Sequence, residues 1–311
     1  MRAGVVAGVT GYLLWGLYPL YWPLLAPAGA VEILVHRIVW SAVLVLVLLV
    51  ALGRLRSLLH RISSRRTIGL TGLAAVLMAV NWGVYIWAVN NGHVVDTALG
   101  YFINPLMTVA AGVVLLGEQL RLAQRIALGL AALAAVVLLA GQHEFPWVAL
   151  VLAGSFAGYA IVKKQVGLGA VDGFATETAL LAVPALAALV LLGASGGATV
   201  FAHGWEHAML LVLTGAVSAA PLLCFGAAVV RLPLATLGAI QYLAPILQFL
   251  TGVLFYREEM PLDRWIGFCL VWAAAVVLVV DGLRTVTPPV AAPSPRAGLP
   301  RRGATADGEA R

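Results

Sequence analysis

Long apolar runs, separated by short polar or basic stretches, follow one another from the start of the chain to about residue 283. Crossing a hydrocarbon core of roughly 30 Å takes about 20 mostly apolar residues in a helix. That ruler predicts spans at 4–25, 30–52, 68–89, 94–116, 122–140, 147–163, 174–192, 207–229, 234–256 and 265–283. The chain is therefore expected to be an all-α integral membrane protein with ten transmembrane helices. The connections are too short for a separate soluble domain. Residues 285–311 are rich in Pro, Arg, Ala and Gly and nearly lack bulky apolar side chains, so they cannot bury a core and are expected to form a disordered tail. The first run ends near Ala26-Pro27-Ala28, which resembles a cleavage site. It is longer than the roughly 7–15-residue core of a signal peptide, and Tyr12, Trp15, Tyr18, Tyr21 and Trp22 suit a retained span that ends at an interface.

Composition agrees. Hydrophobic residues make up 62% of the chain and charged residues 10%, with mean hydropathy +1.00. Soluble domains carry about 25% charge because their surfaces face water. The net charge of +6 is not a nucleic-acid signature, since the arginines sit in short loops and the tail with no basic stripe among aromatics. With the N-terminus inside, sixteen of the 19 Lys and Arg residues fall on the inner side, Arg257 and Arg264 on the outer, and Arg37 within a span. This bias predicts that both termini are cytoplasmic. Cys224 and Cys269 lie in separate apolar runs and suggest neither a disulfide framework nor a metal site.

The chain also repeats. Phe102–Ile126 aligns with Tyr242–Ile266 at an offset of 140, matching Pro105 to Pro245, Gly112 to Gly252, Glu118 to Glu258 and Leu122 to Leu262. Glu32 corresponds more loosely to Glu177 at an offset of 145. Two halves of five helices each must lie inverted with respect to one another, because five is odd. Inverted repeats are a mark of secondary transporters.

Few ionisable groups fall inside the spans: Glu32, His36, Arg37 and Glu177. Charges in hydrocarbon are costly and tend to pair or line a cavity. Glu32 and His36 share a helix face, and Arg37 is one residue further round, placed to balance Glu32 or to meet an anionic substrate. Glu32 near the outer end and Glu177 near the inner end are expected to take and release protons or to bind a cationic group. A second set is polar and aromatic: Asn81, Trp82, Tyr85, Trp87 and Asn90; Tyr101, Asn104, Pro105 and Thr108; Gln241, Tyr242, Pro245 and Gln248. Amides among aromatics suit the lining of a mostly apolar organic substrate; the alternative is polar glue between helices. Gly4, Gly8 and Gly11 predict a close helix approach, while His93 and Asp96 are expected to be solvated at the outer loop.

No catalytic or nucleotide-binding signature is present, so an enzyme is not expected and no cofactor or metal is implied. The strings GYLLWGLYPLYW, EILVHRIVWS, NWGVYIWAVNNGHVVDTALGYFINPL, RLPLATLGAIQYLAPILQFL and YREEMPLDRWIGFCLVWAA resemble the RarD proteins of the EamA group of the drug/metabolite transporter superfamily. The resemblance runs over residues 4–283. It implies two inverted EamA repeats, 1–141 and 142–284, in a permease of the plasma (inner) membrane, with proton-coupled export of small metabolites or drugs as the usual mode. One departure is LLAVPA after Glu177-Thr178, where the family is Leu-rich. The expected partners are a small-molecule substrate, protons, membrane lipids and a second copy of the chain in a homodimer. The rival readings are a passive facilitator or accessory membrane protein, distinguished by insensitivity to the proton gradient, and a lipid-modifying enzyme, distinguished by loss of a lipid product on deletion.

Overall fold

The structure is a computed structural model that describes residues 2–61, 64–116, 120–141, 145–168, 170–200, 202–229, 231 and 240–285. The described residues hold helices and no strand, as expected of a chain that must satisfy its backbone polar groups within each apolar segment. The helices are α1 (Arg2–Gly16), α2 (Tyr18–Tyr21), α3 (Ala30–Ala51), α4 (Leu55–Arg61), α5 (Arg65–Asn90), α6 (Val94–Leu116), α7 (Leu122–Gly141), α8 (Trp147–Val166), α9 (Ala170–Ala194), α10 (Gly204–Val229), α11 (Leu243–Leu250) and α12 (Leu262–Thr285). A 3₁₀ turn, Trp22–Leu25, follows α2, and a π turn, Thr251–Phe255, follows α11.

Among the described residues, five helices are long and apolar enough to cross a membrane, and a sixth if the bent pair formed by α1 with Tyr18–Leu25 is one span. α7, α8 and α11 offer shorter apolar stretches among the described residues. The expected tally of ten is thus larger than the number of helices that meet both criteria. Residues 234–239 of the ninth expected span and the tail beyond 285 lie outside the described residues, as do Glu118 and the side chains of Pro105 and Thr108. The short helix α4, in the basic loop after α3, was not expected from hydropathy.

The first span is not one straight rod. It bends by 44° between Gly16 and Tyr18. Proline explains the bend, since it lacks the N–H that would reach the carbonyl four residues back. Pro19 frees the carbonyl of Trp15, which accepts instead from Gln248 Nε2 at 3.3 Å. Pro23 likewise frees the carbonyl of Pro19, which accepts from the Tyr256 hydroxyl at 2.7 Å. In α10, Pro221 frees the carbonyl of Val217, and the Tyr18 hydroxyl fills it at 2.9 Å. Three breaks in the helix ladder are therefore mended by side chains from distant segments, because water cannot mend them in an apolar interior.

The principal packed pairs are α7 with α12, α5 with α8, α6 with α8, α1 with α10, α3 with α10, α3 with α9, α6 with α11, α1 with α11 and α5 with α9. Phe102 of α6 stacks on Tyr242 just before α11, with ring centroids 6.1 Å apart and planes at 23°. These two residues occupy equivalent positions in the sequence repeat.

Small residues set the closest approaches, as packing without a hydrophobic drive between helices requires. A Cβ on Gly11 would lie 3.1 Å from the Pro221 carbonyl oxygen, which bears out the expected close approach there. At Gly215 a Cβ would lie 2.5 Å from the carbonyl carbon of Trp40, in the backbone of α3. Gly215→Leu is expected to cost about 3 kcal/mol or more, because backbone cannot step aside as a side chain can. Gly129→Ala, whose Cβ meets nothing within 4 Å, serves as a control and should stabilise by about 0.5–1 kcal/mol through helix propensity. Thermal unfolding in detergent checks both, and equal melting temperatures for the two variants would refute the account.

Candidate functional site

Helix α3 carries three of the four expected intramembrane ionisable groups, and the structure sends them to three different places. Glu32 sits in its first turn, where a carboxylate suits the helix dipole. Its oxygens accept from the Thr199 N–H at 2.6 Å, the Thr199 hydroxyl at 2.9 Å and the Val200 N–H at 3.3 Å. The same Thr199 hydroxyl contacts His207 Nε2 at 2.7 Å. The expected Glu32–Arg37 pairing is therefore not what forms. Geometry decides against it, because Arg37 leaves α3 on another side while two N–H groups of the α9–α10 connection point at the acid. His36, buried, accepts from Trp40 Nε1 at 3.2 Å through Nδ1, one helical turn along.

Arg37 is 2% exposed and lies about 10 Å along α3 from its first residue. Its guanidinium carbon is 4.0 Å from the ring centroid of Trp82, 5.2 Å from Trp22 and 5.4 Å from Tyr18. Tyr85 packs beside two further rings, with centroids 6.4 Å from Tyr18 and 5.7 Å from Tyr101, and so extends this aromatic wall. Among the described residues no carboxylate pairs with Arg37, and its Nε is buried without a hydrogen-bond partner, as are Trp22 Nε1 and the Tyr85 hydroxyl. Cation–π contacts contribute up to about 2 kcal/mol each when desolvated, whereas removing an ion from water costs several kcal/mol. The aromatics soften that penalty and supply no counter-charge.

Asn81 belongs to the brace behind this group. Its Nδ2 donates to the Leu152 carbonyl and the Ser155 hydroxyl, both at 3.0 Å, and its Oδ1 accepts from the Tyr101 hydroxyl at 3.2 Å. The amide thus joins α5, α6 and α8. Asn104 is buried one turn beyond Tyr101. The residues expected from the ninth span lie elsewhere. Tyr242 packs with Phe102, Phe268 and Phe249, Gln248 mends the α1 bend, and Gln241 is half-buried just before them. Among the described residues no ring contact or hydrogen bond joins these three to Arg37.

Glu177, on α9, accepts from Lys163 Nζ at 2.8 Å and from the Tyr159 hydroxyl at 3.1 Å. Lys163 also donates to the Tyr159 hydroxyl at 2.5 Å. The sequence counted Lys163 as a loop charge; the spacing of Tyr159 and Lys163, one turn apart on α8, was the available sign that both face the same neighbour. Two further ion pairs, Arg54 with Asp172 at 3.1 Å and Arg121 with Asp281 at 2.8 Å, lie at this predicted inner end.

The predicted outer end is tied more firmly. Glu258 accepts from the Val94 and Val95 N–H groups at 2.6 and 2.8 Å, capping α6 from the connection after the π turn. Burial pushes the Glu258 carboxyl above its ordinary value, against the pull of those two N–H groups. Asp96 and His93 are not simply solvated as expected: Asp96 accepts from Arg264 at 3.0 Å and contacts His93 at 3.0 Å, because folding brings the start of α12 beside the start of α6. Beside this end is a cavity of about 350 Å³ lined by Pro23, Ala26, Pro27, Ala28, Val89, Asn90, Gly92 and Tyr256.

With that geometry in view, residues 2–140 match the EamA-like transporter family. The chain is 53% identical over 284 residues to the protein RarD of Streptomyces exfoliatus, covering 91% of this chain and 90% of that one. It belongs to the RarD family. An uncharacterized transporter of Vibrio cholerae is 38% identical over 283 residues, covering 91% of this chain and 94% of the relative. A solved crystal structure of a protein with 18% sequence identity superposes with TM-score 0.58 over 92% of this chain and all of that one, a likeness of fold. This RarD-family chain is thus an EamA-type permease, a multi-pass membrane protein of a transporter family, as the sequence motifs imply.

Proposed function

We propose that this permease is a proton-coupled secondary transporter exporting a small organic metabolite or drug-like solute, with both termini cytoplasmic. Its two halves, 1–141 and 142–284, are five-helix units lying inverted with respect to each other. The helix neighbours support this arrangement. Exchanging α1 with α8, α3 with α9, α5 with α10, α6 with α11 and α7 with α12 turns each principal packed pair into another packed pair or into itself. A two-fold relation of this kind puts a site between the halves.

The observation that carries the transport reading is Arg37, a buried cation with no partner acid among the described residues, in the middle of an apolar bundle. Intramembrane charges without structural partners mark solute or ion paths. Glu32 and Glu177 are the coupling groups in this reading. Each holds a different connection or helix at one end of the bundle, Glu32 through Thr199 and Val200 and Glu177 through Lys163 and Tyr159. Protonating either carboxylate removes the charge that strengthens those hydrogen bonds, which loosens that end and gives alternating access its trigger. Glu32→Gln is expected to abolish gradient-dependent export while the protein still inserts. The check is the metabolite content inside and outside cells overproducing each form, with and without a protonophore. Undiminished export by the variant would defeat the role of Glu32, and export indifferent to the protonophore would favour a passive facilitator.

A further inference from the structure

The transport reading leaves the class of solute open, and the surroundings of Arg37 narrow it. We infer that the solute carries a carboxylate received by Arg37, with its planar apolar part lying among the rings of Tyr18, Trp82, Tyr85 and Tyr101. Three buried groups here, Arg37 Nε, Trp22 Nε1 and the Tyr85 hydroxyl, lack a partner among the described residues. Two of them can only donate, and the third donates as readily as it accepts. Buried donors in proteins are nearly always satisfied, so a set of orphaned donors around one guanidinium is the imprint of an acceptor that arrives from outside the chain.

Another partly buried cation of the bundle shows the contrast. Lys163 has Glu177 at 2.8 Å and needs no external anion. Among the described residues Arg37 meets aromatic faces and no carboxylate, although Glu32 stands five residues away on the same helix. Because Glu32 is already held by the α9–α10 connection, the charge of Arg37 stays available to a ligand. One guanidinium balances one negative charge, so a monovalent carboxylate leaves the complex neutral in an apolar interior, whereas a phosphate dianion leaves an excess. Guanidinium and carboxylate also match in fork geometry. The stacked rings then favour an aromatic or otherwise flat apolar body over a small polyhydroxylated one.

The inference rests on the transporter reading but is tested by binding, with no gradient present. The full chain in detergent is titrated with benzoate and phenylacetate, with neutral benzamide, with cationic benzylammonium, with phenylphosphonate and with chloride. Tryptophan fluorescence reads binding, since Trp22 and Trp82 face the guanidinium. The two carboxylates should quench saturably and benzamide and benzylammonium should not, with phenylphosphonate weaker than benzoate and chloride without saturable effect. Arg37→Gln should weaken benzoate at least about tenfold, the loss expected for one charge-assisted hydrogen-bond pair, and Arg37→Lys should lie between. If Arg37→Gln fails to fold, the ligand series on the unaltered chain and the Arg37→Lys variant still decide. Failure of both carboxylates to bind, equal binding of benzamide or of chloride, or unchanged affinity in the Arg37 variants overturns the inference. An inactive Glu32→Gln exporter that still binds benzoate supports both readings. A Glu32→Gln protein that exports normally defeats the coupling role alone.

Discussion

Lys163→Met is expected to destabilise the folded chain by about 2–3 kcal/mol, less than the roughly 3–5 of a fully buried ion pair because Lys163 is partly exposed. The reason is the acid left behind. Glu177 is 5% exposed, and without Lys163 its carboxylate keeps only the Tyr159 hydroxyl. The double variant Lys163→Met/Glu177→Leu should recover most of that loss, because an apolar pair of similar volume has no charge to desolvate. Thermal unfolding of the four forms in detergent, arranged as a double-mutant cycle, reads the coupling directly. Additive losses would mean that the pair contributes no specific interaction. Stability and transport should also separate here. The double variant is expected to be folded but uncoupled, since the proposed inner-end carboxylate is gone.

The second large effect is expected at Glu258. Glu258→Ala removes the acceptor for the Val94 and Val95 N–H groups, on residues that are themselves completely buried. Leaving a buried donor unsatisfied costs about 1–3 kcal/mol, so the loss of both should cost about 2–4 kcal/mol once partial hydration is allowed for. Glu258→Gln keeps one acceptor oxygen and should lose about half as much. The two variants should therefore rank Ala below Gln below the unaltered chain in melting temperature; a reversed or flat order would show that the cap does not hold α6. By comparison, the Arg121–Asp281 contact, whose arginine is exposed to solvent, should matter less, since pairs open to solvent contribute about 0–1 kcal/mol.

These two sites also show where sequence reading stopped. Glu258 stood out in the repeat as the match of Glu118, which said that the position mattered twice but not what it touched. Its partners lie 164 and 163 residues away, across the bundle. Gln248 was singled out for a polar stripe and turned out to serve the carbonyl that Pro19 releases, 233 residues from its own position. Tyr18 was noted as an interfacial aromatic, and it both mends the Pro221 break and walls Arg37. In each case the residue type was informative and the role was not, because a hydrogen bond over such a separation leaves no local periodicity. Arg37 was the most legible residue of the site: a lone cation in an apolar run is conspicuous without any fold.

The sequence by itself determined that this is a helical membrane protein of the RarD family. Hydrocarbon admits only segments that are apolar along their length and close their own backbone bonds, so solvent is written directly into composition, and the family motifs run through those segments. Only the tertiary structure decided which acid answers which donor. Spacing offered Arg37 as the partner of Glu32, and that Thr199 and Val200 answer it instead depends on how α3, α9 and α10 cross. That choice, made by packing and not by spacing, is what leaves the charge of Arg37 without a partner acid among the described residues.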